Sequence, residues 1–156
     1  MTRRRKTLLV LTVLWLCVIW GHSMMPAEDS GNESSFLAEW LMQYLPWMND
    51  YVIRKVAHFA EYLILGGLLF GAFPQRGRTA MLMTLFAGFL TAFFDETIQL
   101  FSPGRSGQIS DIWLDLAGFC TSQLVLRAAI RRKEEQKAAS RALRDAAFSQ
   151  LNAASH

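Results

Sequence analysis

Four apolar runs of membrane-spanning length, at about residues 7–25, 52–73, 80–101 and 111–130, constrain this 156-residue chain before any single residue is considered. Each is about 19–22 residues long, and about 20 residues at 1.5 Å rise cover the roughly 30 Å hydrocarbon core of a bilayer. What remains is too short for a separate soluble domain. A soluble helical bundle would show a polar face on every helix, and the run from Leu8 to Met25 shows none. The expectation is an all-α, polytopic membrane protein with four transmembrane helices. Residues 1–127 form the transmembrane domain, and residues 131–156 a charged cytoplasmic tail. Arg3 to Lys6 would also suit a signal peptide, but the apolar stretch is long for one and no clean small-x-small cleavage site follows. An uncleaved first span is expected.

Basic residues set the orientation. Arg3, Arg4, Arg5 and Lys6 precede the first run, Arg76 and Arg78 fill the link between the second and third, and Arg127, Arg131, Arg132 and Lys133 follow the fourth. Residues 26–51 contain Glu28, Asp29, Glu33, Glu39 and Asp50 and no Lys or Arg. The positive-inside rule then places both termini in the cytoplasm and residues 26–51 and 102–110 outside. The sequence pI near 9.1 follows from that topology, and no nucleic-acid partner is needed to account for it. Cys17 and Cys120 fall mid-span, where apolar surroundings suppress the thiolate, and read as packing residues.

Two segments lie outside the spans. Phe36, Leu37, Trp40, Leu41, Tyr44 and Leu45 recur at helical spacing before Pro46, which predicts a short amphipathic helix lying in the outer interface. Residues 131–151, rich in Ala, Arg, Lys and Glu, predict a solvated cytoplasmic helix or frayed tail whose cations favour anionic lipid headgroups.

Against this apolar frame, two cations and five carboxylates stand out: Lys55, Arg105, Glu61, Asp95, Glu96, Asp111 and Asp115. Charge in hydrocarbon costs about 2.5–3.5 kcal/mol per residue on insertion scales, so ionisable residues at such depth usually mark function. Lys55, His58 and Tyr62 share one helical stripe with Glu61 on its flank, and Gly66 continues it. Gly88, Ala92, Asp95 and Gln99 share a face of the third run, and Asp111, Asp115, Gly118 and Ser122 a face of the fourth. Each stripe is polar towards the outside and small deeper in, which predicts an outward-opening polar cavity among three helices. In the loop Ser102–Ser110, Pro103-Gly104 signals a turn and Ser110 suits an N-cap for the fourth span. A helix N-terminus beside a guanidinium suits a phosphate or carboxylate ligand.

Three ordered motifs, Lys55-x-x-His58-Phe59-x-Glu61-Tyr62-x-x-x-Gly66, Asp95-Glu96-x-x-Gln99-x-Phe101-x-Pro103-Gly104-Arg105 and Ser110-Asp111-x-x-x-Asp115-x-x-Gly118, resemble the VanZ-like family of bacterial membrane proteins. The resemblance covers roughly residues 7–125, including Ser23 and Pro26. Asp115 departs from it, since asparagine is frequent at that position. The resemblance implies a four-helix cell-membrane protein, and the family's namesake is linked to resistance to the glycopeptide teicoplanin. It supplies no settled chemistry.

Two functional classes compete. One is an intramembrane enzyme modifying or hydrolysing a lipid-linked or peptidoglycan-related substrate at the outer face. His58, Glu61, Asp95, Glu96 and Asp111 would do the acid–base or metal-ligating work, while Lys55, Tyr62, Gln99, Arg105 and Asp115 hold the substrate. Hard carboxylates plus one imidazole suit a divalent metal such as Mg²⁺, Mn²⁺ or Zn²⁺. No His-Glu-x-x-His, Gly-rich phosphate loop or evident nucleophile accompanies them. The other class is a non-catalytic binding or transport module for a membrane lipid, an envelope precursor or a glycopeptide. Buried ion pairs that only fix helix register are the bland reading. However, five acids against Lys55 and Arg105 leave three negative charges to be relieved by protonation, metal, substrate or water.

Overall fold

A computed structural model describes residues 1–26, 50–73, 77–105 and 107–154. Among the described residues there are four helices and no strand, in keeping with the expected all-α class. They are α1 (Arg3–Met24), α2 (Asp50–Ala72), α3 (Arg78–Gln99) and α4 (Ile109–Ala154). The first three, and the start of α4, fall within a few residues of the apolar runs. α4 runs past the expected end of the fourth run as far as Ala154. The expected interfacial helix over residues 36–45 lies outside the described residues.

The chain divides into two compact units, Met1–Gln123 and Leu124–His156. In the second, every residue from 128 to 145 is exposed, and Arg131 Nε donates to Glu135 Oε1 at 2.8 Å across one helical turn. A solvated surface pair of this kind contributes a few tenths of a kcal/mol at most, about 0.3–0.5.

The first unit holds the bundle. Thr2 caps α1 by accepting from Arg5 N, and the helix then runs without a polar face. α1 packs on α2 and α3, and α2 packs on α3. Glycines let α4 close the bundle. A Cβ on Gly118 would stand 2.3 Å from the Phe59 carbonyl oxygen of α2, and one on Gly66 would stand 2.1 Å from Ser122 Oγ of α4. These two helices touch backbone to backbone, as small residues permit in membranes. Ile19, Tyr62, Leu65, Leu69, Ala92 and Phe119 form the core, with the Phe119 ring laid against Gly88.

The distribution of polarity is inverted relative to a soluble protein. Asp95 and Asp115 are fully buried, whereas Phe86, Phe93 and Trp113 are 61%, 48% and 68% exposed. Large apolar surface outside and charge inside suit a molecule surrounded by lipid. α1 and α3 are each long and apolar enough to cross a membrane. α2 and the start of α4 carry the charges that interrupt their apolar character. Cys17 is exposed on the bundle surface rather than packed, and only Cys120 is partly buried.

Candidate functional site

Alternating helix directions bring the end of α1, the start of α2, the end of α3 and the start of α4 to one end of the bundle. There His58, Asp95, Glu96 and Asp115 are all buried, and each offers a ligating atom within 4.8 Å of the others. His58 Nδ1 lies 3.5 Å from Asp115 Oδ1 and 3.7 Å from Asp95 Oδ2. Both separations exceed the about 2.7–3.2 Å of a good N–H···O bond. Asp95 Oδ1 accepts from Ser23 Oγ at 2.5 Å. Glu96 accepts from Gln99 Nε2 at 3.2 Å and from the Gln108 amide at 2.8 Å. Both Asp115 oxygens, Asp95 Oδ2, His58 Nδ1 and the Tyr62 hydroxyl are buried without a hydrogen bond.

Above this group opens a cleft of about 90 Å³, with His58 at its floor and Arg54, Lys55, Arg105 and Asp111 on its walls. Lys55 Nζ donates to Asp111 Oδ1 and lies 5.1 Å from the centre of the Tyr51 ring. Arg105 Nε and Nη2 are buried and make no hydrogen bond. Burial lowers the Arg105 pKa from its ordinary value, and the neighbouring Arg54 charge adds to that. The loop carrying Arg105 is tied down at both ends. Ser102 Oγ donates to the Ser23 carbonyl at 2.7 Å, and the Gln108 amide is held by Glu96. Gly104, at φ 74°, makes the turn between them.

The residues singled out by sequence take different places. Lys55, His58, Gln99, Arg105 and Asp111 line the cleft, while Asp95, Glu96 and Asp115 lie around His58 beneath it. Asp115, expected among the substrate-holding residues, sits instead at the buried centre. Tyr62 is a core residue with its hydroxyl inside. Glu61 turns away from the group of four. Its carboxylate meets His22 Nδ1 at 3.0 Å, and its carbonyl accepts from Trp15 Nε1 at 2.9 Å, because its flank position on α2 faces α1. Ser110 does not cap α4. The helix begins at Ile109, and the Ser110 hydroxyl bonds Gln108 Oε1 and Asp111 Oδ1 from inside the first turn.

Two residues with a place here, Arg54 and His22, escaped the sequence reading, and Ser23 entered it without a role. Arg54, adjacent to Lys55, is a third cation on the cleft and reduces the surplus of acid charge by one. His22 and Ser23 make α1 a fourth contributor, where three helices were expected. Only Ser23 left a signal, as a motif match after the first span.

A family model described as VanZ/LLP1 matches residues 8–130. The chain belongs to the VanZ/LLP1 family. That family is known for teicoplanin resistance. No curated protein and no solved structure matches the chain. Together with the apolar α1 and α3, VanZ/LLP1 membership points to a membrane protein. All the residues of the cleft and of the buried group lie within the matched range.

Proposed function

We propose that this VanZ/LLP1 protein spans the cell membrane four times, with both termini and residues 131–156 in the cytoplasm and residues 26–51 outside. An interfacial helix in that outer segment completes the reading. In this orientation the cleft opens outward and receives the anionic group of a lipid-linked or peptidoglycan-related envelope molecule. The buried residues beneath modify or hydrolyse it.

The observation that carries the reading is the position of His58. It lines the cation-walled cleft and also belongs to the buried group of Asp95, Glu96 and Asp115. Arg105, with two nitrogens free, and Arg54 supply donors suited to a phosphate or carboxylate. His58, flanked by Asp95 and Asp115, brings the buried group to the cleft floor, where its imidazole or its carboxylates can accept a proton from water or substrate. A cleft of about 90 Å³ admits a few waters or one small anionic group, so whole-glycopeptide capture inside it is disfavoured.

The test is a glycopeptide-sensitivity assay in a strain lacking the native gene, read beside membrane abundance and thermal melting of the purified protein. His58→Ala and Asp95→Asn should abolish the envelope phenotype with abundance preserved. If activity falls only in step with abundance, the buried group is scaffolding and the enzymatic reading fails. For topology, a chain with Cys17 and Cys120 replaced by alanine should be labelled from outside at Asn32→Cys and spared at Gly77→Cys. The reverse pattern would remove the outward-facing site.

A further inference from the structure

We infer that His58, Asp95, Glu96 and Asp115 form a binding site for one divalent transition-metal ion, zinc or manganese, at the floor of the cleft. The inference deepens the reading of this cleft as the functional site and rests on it for its biological meaning.

Charge comes first. The other two carboxylates at this end of the bundle have cationic or imidazole partners, Asp111 with Lys55 and Glu61 with His22. No lysine or arginine among the described residues forms an ion pair with Asp95, Glu96 or Asp115. Three carboxylates therefore share one imidazole as their direct partner, and Arg54 and Arg105, on the cleft walls, form no ion pair with any of them. Isolated buried charge is costly enough that such groups are normally paired or bound to metal.

Orphaned atoms come second, and they are independent of the charge count. Roughly 90% or more of buried polar groups in proteins find a hydrogen-bond partner. Here Asp95 Oδ2, both Asp115 oxygens and His58 Nδ1 are buried without one, on side chains that are 0–4% exposed. All four atoms belong to one group. By contrast, the remaining oxygens of Asp95 and Glu96 are held by Ser23, Gln99 and the Gln108 amide. Metal-ligating carboxylates are characteristically steadied in this way by outer hydrogen bonds.

The donor set selects the ion. One imidazole with three carboxylates suits zinc or manganese, whereas calcium and magnesium prefer oxygen alone. The 4.8 Å spread of the ligating atoms is wider than the about 3.4 Å between ligands in a tetrahedron with bonds of about 2.0–2.1 Å. Binding would draw the four side chains inward, a motion of rotamers rather than of helices.

The full chain, purified in detergent, is analysed for metal by mass spectrometry. It is then stripped with chelator and reloaded with zinc or manganese chloride. One ion per chain is expected, with a rise in melting temperature on reloading. Asp115→Asn should weaken binding by more than about 100-fold, and Ser23→Ala, which frees Asp95, by about 10–100-fold. Asp111→Asn, outside the group, should leave stoichiometry unchanged. Absence of bound metal in the wild-type chain after reloading, with no shift in melting, overturns the inference whether or not the variants fold. Metal content is read apart from the envelope phenotype, so the two proposals fail separately. An inactive His58→Ala with a metal-free wild type removes the metal and keeps the cleft. Stoichiometric metal with a fully active His58→Ala keeps the metal and removes the proposed activity.

Discussion

The two ends of the bundle are built on different principles. At the end that gathers Ser23, His58, Asp95 and Asp115, buried polar side chains crowd together, Ser23 donates to Asp95, and a loop is laced to two helices. At the opposite end Leu8 packs on Gly71, Arg5 lies 5.6 Å from the centre of the Phe73 ring, and an apolar recess of about 410 Å³ opens between α2 and α3. A closed, dry cavity of that volume would cost roughly 10 kcal/mol at about 24 cal/mol per Å³. Where acyl chains line the recess, that penalty disappears. The polar end depends on particular residues, whereas the apolar end depends on being apolar. Substitutions should separate the two.

The largest effect is expected where α2 and α4 meet. Gly118→Leu drives a side chain into the Phe59 backbone, and the cost should reach at least about 3 kcal/mol, seen as failure to accumulate in the membrane. Gly67→Ala, with nothing within 4 Å of its Cβ, should melt like the wild type. Equal tolerance at the two positions would mean that α4 is not held against α2 as described.

Next comes the Lys55–Asp111 pair on the cleft wall, both members of which keep some solvent contact. Lys55→Met leaves Asp111 without its cation. It should cost about 3 kcal/mol, the low end of the range for breaking a buried pair. Adding Asp111→Asn should recover most of that in a double-mutant cycle on melting temperature. Additive losses would show the two residues to be energetically independent.

The first three helices and the start of α4 were legible in the sequence because the apolar runs mark them to within a few residues, whereas the end of α4 at Ala154 lies well past its run. Also legible was the gathering of His58, Asp95, Glu96 and Asp111 at one end, which follows from alternating helix direction and the depth of each charge. Helical stripes resolve a position to about a third of a turn. That suffices to bring Asp95 towards His58, but not to decide whether Glu61 faces α4 or α1. Ser23 and Asp95 are separated by 72 positions, and nothing local to either residue announces their bond. The sequence groups Asp115 with the substrate-holding residues, yet the one turn beyond Asp111 carries it from the cleft wall to full burial. Arg54 was overshadowed by Lys55, although adjacent helical residues point about 100° apart and both reach the cleft.

Arg105 separates function from stability more cleanly. Two of its guanidinium nitrogens are buried and bond to nothing, so Arg105→Ala removes desolvated charge and no hydrogen bond from those atoms. Melting temperature should hold or rise. Charge-assisted bonds to an anionic substrate are worth about 1.5–3 kcal/mol, so activity in the envelope assay should fall about 10–100-fold. A drop in melting temperature with activity intact would make Arg105 a structural cation.

The smallest effect is expected from one substitution placed at both ends. Ala92 is fully buried beside Tyr62 and Phe119, and Ala92→Leu should cost about 1–3 kcal/mol through overpacking. Ala80 borders the apolar recess, and Ala80→Leu only replaces lipid contact with side-chain contact. Between helices in a bilayer no hydrophobic gain follows from that exchange, because acyl tails are as apolar as leucine. Its change in stability should stay within about 0.5 kcal/mol, with envelope activity unaltered. The measurement is the melting temperature of both variants in the same detergent, alongside the sensitivity assay. Should Ala80→Leu change activity while leaving melting untouched, the recess would communicate with the cleft through α3, and the two ends would have to be treated as one coupled site.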